Sequence, residues 1–155
     1  MKISNTAKLK AQTRAKAIKL TQYNNNQHKN RRWNYYLGFL VEEVLSEEFG
    51  FIVLNSNKYG PDLVDTEGIS YSVKSCGIGY SEWDIAITEE YNKSDYFIFC
   101  KIDHPDSVEF VGMTPCNDVI YVSANPSVFG KHCGRGKKHY NKYCYKEGKL
   151  KRIFL

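Results

Sequence analysis

The chain has 155 residues, 42% of them hydrophobic and 14% aromatic, with a formal net charge of +5. That length fits one domain with a modest core, and the composition excludes an intrinsically disordered chain. No apolar run reaches the length of a membrane span, and the basic N-terminus lacks the apolar segment of a signal peptide, so a cytoplasmic setting is expected.

Charge is distributed unevenly. Residues 1–41 carry nine Lys/Arg and no acid, residues 42–130 carry sixteen Asp/Glu against four Lys/Arg, and residues 131–155 carry nine Lys/Arg and one Glu. Basic ends like these serve solubility or, in the sharper reading, grip a phosphate backbone around an acidic centre. Five cysteines without a secretory signal suggest reduced thiols.

In chain order, residues 5–22 read as a helix with a thin apolar stripe of Ala7, Ala11, Ala15 and Ile18, among which Arg14, Lys16 and Lys19 add positive charge. Such a stripe packs weakly or lies against nucleic acid. Residues 23–30 are polar and turn-rich, which suggests a linker or loop. Residues 33–49 form the clearest helix: Leu37, Val41, Val44 and Leu45 recur at a spacing of three and four, and Gly50 ends it. Leu45 and Phe49 lie near the face of Glu42, which would set its carboxylate at the rim of the core. An ordinary helix-surface glutamate is the plain alternative. Glu43, Glu47 and Glu48 are expected to face water.

A short strand at residues 51–54 leads to a hairpin across residues 60–75. Leu63 and Val64 sit in its first arm, Ile69, Tyr71 and Val73 in its second, and Thr66-Glu67-Gly68 forms the loop, with Gly68 where φ must be positive. If Asp65 faces Ile69, Asp62 falls opposite Ser72. Side-chain alternation then puts Asp62, Ser72 and Lys74 on one face, with Leu63 and Val73 on the other. An exposed ion pair on an edge strand would explain this plainly. Pro61, which aims the next residue, and the burial-suited run around Lys74 point to a functional pair. Further strands are expected at residues 83–88, 96–102 and 107–113, with a helical turn at residues 89–93.

The tail interleaves Lys131, Arg135, Lys137, Lys138 and Lys142 with Tyr140, Tyr143 and Tyr145. This suits phosphate contact and stacking, or a solvated hairpin closing the fold. His132, Cys133, His139 and Cys144 are residue types that bind zinc, but their spacing matches no common zinc module, and structural zinc is not expected.

Pro61-Asp62 followed by Ser72-Val73-Lys74, preceded by the helix Gly38-Phe39-Leu40-Val41-Glu42, resembles the PD-(D/E)xK nucleases. Asp95-Tyr-Phe-Ile-Phe and Val108-Glu-Phe-Val-Gly are similar to that family's later sheet strands. The resemblance spans roughly residues 36–122. It implies an α/β fold in which a mixed central β-sheet is flanked by helices, a restriction endonuclease-like core at residues 33–122. Basic extensions would lie at residues 1–32 and 123–155. It implies Asp62 and Glu42 as metal ligands with the Val73 carbonyl as a further one, Lys74 as the residue that orients the attacking hydroxide, and Mg²⁺ or Mn²⁺ as the metal. The family's middle acid is Ser72 here, which offers a neutral hydroxyl in place of a carboxylate.

Two functions are weighed. In the first, the protein is a metal-dependent DNA endonuclease of the phage or homing type, acting on double-stranded DNA held by Arg14, Lys16, Lys19, Arg31, Arg32, Lys131, Arg135, Lys137, Lys138 and Lys142. A homodimer would suit a palindrome-like target. In the second, it is a nucleic-acid-binding protein of the same fold whose catalysis the loss of one acid has weakened.

Overall fold

The computed structural model describes residues 1–18, 25–55, 60–86, 94–123 and 142–146. Helix α1 spans Asn5–Ala17 and α2 spans Asn25–Phe49. Strands β1 (Ile52–Val53), β2 (Leu63–Val64) and β3 (Ser70–Gly77) follow, then β4 (Glu82–Ala86), β5 (Tyr96–Asp103) and β6 (Ser107–Pro115). Helix α3 (Cys116–Ser123) and strand β7 (Lys142–Lys146) complete the described elements.

Ser4 starts α1 by accepting a hydrogen bond from Ala7 N at 2.9 Å. The alanine stripe is more than a weak packing edge: Ala7, Ala11 and Ala15 are at most 3% exposed. Side chains that small let α1 lie close against α2, and Ser4 Oγ ties the pair by donating to Glu47 Oε2 at 2.7 Å. α2 begins at Asn25, eight residues before the expected start. Residues 25–30, expected as part of a linker, therefore form its first turns. Their polarity is compatible with a helix because α2 gains its stability further along, where Leu40, Val41, Val44 and Leu45 are buried. The helix ends at Gly50, whose φ of 74° is open to glycine without strain.

Five strands form one mixed sheet in the order β1-β2-β3-β5-β6. Every neighbouring pair is antiparallel except β3 and β5, which run parallel. The protein thus has an α/β fold with helices on a mixed sheet. The hairpin register is the expected one: Leu63 pairs with Tyr71 and Val64 with Ser70, and Asp65 N donates to Ile69 O at 3.0 Å. Asp65 also closes its own loop, its Oδ1 accepting from Glu67 N and Ile69 N at 2.9 Å each, and Gly68 has φ 86°. The parallel pair is pinned at its start by Asp95, whose Oδ2 accepts from Ser70 N at 2.8 Å and Ser70 Oγ at 2.7 Å.

Alternation along β3 and β5 divides the core in two. Tyr71, Ile98, Cys100 and Ile102 face α1 and α2, while Phe97 and Phe99 face Trp83 of β4 and Cys116 and Val119 of α3. Trp83 Nε1 donates to Cys100 O at 2.9 Å, which satisfies the one polar atom of this nearly fully buried ring. β4 pairs antiparallel with β7, bringing part of the basic tail alongside this second core. Helix α3 was not among the elements expected from sequence. Ile87, Thr88 and the turn expected at residues 89–93 lie outside the described residues. Among the described residues, no helix is long and apolar enough to cross a membrane.

Candidate cation site

The hairpin places Asp62 beside Ser72 and Val73. Asp62 Oδ2 accepts from Val73 N at 2.7 Å and from Ser72 Oγ at 3.2 Å. Asp62 N donates to Tyr71 O at 2.8 Å, and Asp62 O accepts from Leu54 N at 2.9 Å, so the backbone beneath the carboxylate is tied to both neighbouring strands. Ser72 is buried. Standing where the resemblance expects an acid, it orients an acid instead. Lys74 lies two residues further on the same strand face, with its Nζ 5.7 Å from the centre of the Phe97 ring. No ion pair joins Lys74 to Asp62 among the described residues.

Glu42 comes to this site from α2. It is 7% exposed and its pKa is pushed up to about 8, first by burial and next by the charge of Asp62, while Arg14 pulls it down. The charge of Asp62 thus reaches the Glu42 carboxyl, the residue that the resemblance implies as its fellow ligand. Glu43 was expected to face water but is 5% exposed. The cause is α1, which covers this side of α2 and supplies Arg14. Arg14 Nη2 lies 2.6 Å from Glu42 Oε2, and Nη1 lies 3.2 Å from Glu43 Oε1. Its guanidinium also sits 4.0 Å from the centre of the Phe39 ring. The more exposed Lys10 reaches Glu43 at 3.8 Å.

Two carboxylates, those of Glu42 and Glu43, therefore share one guanidinium, and the charge of the half-buried Asp62 lies close enough to raise the Glu42 pKa. The hydrogen bonds among the described residues engage Oε2 of Glu42 and Oδ2 of Asp62, and leave Oε1 and Oδ1 as acceptors without a donor. Two hard oxygen donors with a hydroxyl nearby suit Mg²⁺ or Mn²⁺, which keep several waters and need only one or two carboxylates from the protein. They do not form a complete protein cage: no group of three or more His, Cys, Asp or Glu placed to hold a metal occurs among the described residues.

The remaining expected site residues fall differently. Lys16, Arg31 and Arg32 are exposed, as phosphate contacts would need to be. Arg14 was grouped with them, but its guanidinium is engaged by Glu42 and Glu43. Lys19, Lys131, Arg135, Lys137 and Lys138 lie outside the described residues, as do His132, Cys133 and His139 of the zinc candidate. Lys142 and Cys144 lie in β7, where only the backbone is described. Cys76, Cys100 and Cys116 form no disulfide among the described residues. Sequence reasoning missed Glu43 and the inward role of Arg14. The signal was present in the Ala7-Ala11-Ala15 spacing: a stripe of alanines brings two helices close, and Arg14 flanks that stripe.

No protein-family model matches this chain, and no curated protein matches it in sequence. Its functional reading rests on these residues and on the chemistry they support.

Proposed function

We propose that the protein is a metal-dependent DNA endonuclease with a restriction endonuclease-like core, built around Glu42, Asp62, Ser72 and Lys74. The observation that carries this reading is the pairing of Asp62 with Ser72 and Val73 across the hairpin while the Asp62 charge acts on buried Glu42. The mixed sheet with α2 against one face and α3 against the other also supports it. Glu42 and Asp62 would hold the metal, joined by the Val73 carbonyl where the resemblance puts a ligand. A divalent cation bound there would neutralise charge building on the phosphate and lower the pKa of a bound water.

The chain's own residues have separate tasks. Asp62 is fixed through Oδ2 by the Val73 amide and the Ser72 hydroxyl, so a cation at Oδ1 would need little reorganisation. Burial of Glu42 and Ser72 keeps bulk water from competing for those oxygens. Lys74 shares a strand face with Ser72, the face of Phe97 and Phe99, and would supply a positive charge to the phosphate and the attacking oxygen. Exposed Lys16, Arg31 and Arg32 would contact the DNA backbone, which fixes position without reading sequence.

One observation favours the second reading, a DNA-binding protein with weakened catalysis. Ser72 donates to Asp62 and adds no negative charge, so the site has two ligating carboxylates where the family motif has a further acid. Supercoiled plasmid incubated with Mg²⁺ or Mn²⁺ separates the readings. Metal-dependent nicking should occur and fall about 10²–10³-fold in Asp62→Ala and in Lys74→Ala. Nicking that survives both substitutions contradicts the endonuclease assignment. DNA binding without nicking at any metal concentration selects the second reading.

A further inference from the structure

α1 contributes to the candidate site a residue that the hairpin and α2 do not supply. Arg14 spans two carboxylates through two different nitrogens, at 2.6 Å to Glu42 and 3.2 Å to Glu43. Its plane is backed by Phe39, with the guanidinium carbon 4.0 Å from the ring centre. Its side chain is only 16% exposed, which leaves few ways to move without losing these partners. We propose that Arg14 is a positioning residue for the cation site, holding one oxygen of Glu42 so that the carboxylate keeps a single orientation and its second oxygen is left for the cation. This rests on the reading of Glu42 and Asp62 as cation ligands.

Two effects of a guanidinium beside a metal ligand oppose each other. Its charge repels a cation, whereas its hydrogen bond fixes the ligand. Here Glu43, paired with the same guanidinium at 3.2 Å, offsets only part of that charge, and the hydrogen bond to Glu42 fixes the ligand beside it. A planar fork suits that task better than an ammonium, because its two donor directions are set in advance. Residues that hold a metal ligand in this way commonly account for about 10–100-fold in metal affinity. Lys10 is a built-in comparison. It is a cation on the same helix, 3.8 Å from Glu43 and half exposed, but no ion pair links it to Glu42.

Mn²⁺ binding, followed by electron paramagnetic resonance on folded protein, tests this without any catalytic readout. Glu42→Gln and Asp62→Asn should each weaken binding. Arg14→Met should weaken it by about 10–100-fold. Arg14→Lys should recover part of the loss, and Lys10→Ala should stay within about twofold of the unaltered protein, as expected for an exposed ion pair. Adding Arg14→Met to Glu42→Gln should cost little more, since Arg14 acts through Glu42. A merely structural role would instead give the full loss in both backgrounds. If Arg14→Met does not fold by circular dichroism, Arg14→Lys decides, and an affinity equal to or tighter than the unaltered protein's overturns the proposal. Unchanged or tighter binding in both Arg14 variants, with Glu42→Gln and Asp62→Asn still weakened, overturns the role of Arg14 and leaves the cation site standing. Unweakened binding in Glu42→Gln and Asp62→Asn overturns the site itself.

Discussion

Glu42 carries the largest electrostatic cost among the site residues. A carboxylate at 7% exposure, beside Asp62, holds its proton up to about pH 8 despite Arg14. In the unfolded chain it would release that proton near its ordinary value of 4.5. Between these two values the folded protein binds more protons than the unfolded one, so stability falls as pH rises from about 5 to 8. The metal-free protein should lose on the order of a few kcal/mol from this source across that range. Urea midpoints measured at several pH values check this: the decline should flatten in Glu42→Gln, and an equal decline in both proteins would contradict the assignment. Asp95 acts in the opposite sense. Hydrogen bonds from the Ser70 hydroxyl and amide hold its carboxyl below the usual range, so its contribution is present above that range and is lost as pH falls.

At the scale of elements, the hairpin was the most readable part of the chain. Gly68 needed a positive φ, and Asp65 facing Ile69 fixed the register, so the Asp62–Ser72 pairing followed from counting. The α1–α2 pair was the least readable. Ala7, Ala11 and Ala15 carry too little apolar area to announce burial, and the polar residues 25–30 resembled a loop. What hides there is tertiary: α1 covers Glu43, and polar turns extend a helix already anchored by Leu40 and Val44. The close helix approach makes Ala11 sensitive to added volume. Ala11→Leu, at a fully buried position, should destabilise the fold by about 1–3 kcal/mol, measurable as a lower urea midpoint. By displacing the turn that carries Arg14, it should also weaken Mn²⁺ binding. An unchanged midpoint would mean that the two helices lie further apart than their buried alanines imply.

For the molecule as a whole, charge and topology support one arrangement. The acidic middle of the chain contributes buried Glu42 and Glu43 and, at the hairpin, half-buried Asp62, and the described parts of the basic ends lie next to α2 or to the second core. α1 packs on α2, and β7 pairs with β4. The charge pattern was visible in sequence as a basic–acidic–basic order. The way the N-terminal basic segment splits its residues was not read: Lys16 stays in solvent while Arg14 turns inward, and the two lie about 200° apart on the helix, with Arg14 on the side of the alanine stripe. The central claim is that Glu42 and Asp62 share one divalent cation. The most direct measurement is anomalous diffraction from a crystal of the protein grown with Mn²⁺. The predicted result is a single peak about 2.0–2.5 Å from a carboxylate oxygen of each residue. A Mn²⁺-replete crystal with no peak between them, or with its peak at other ligands, would contradict it.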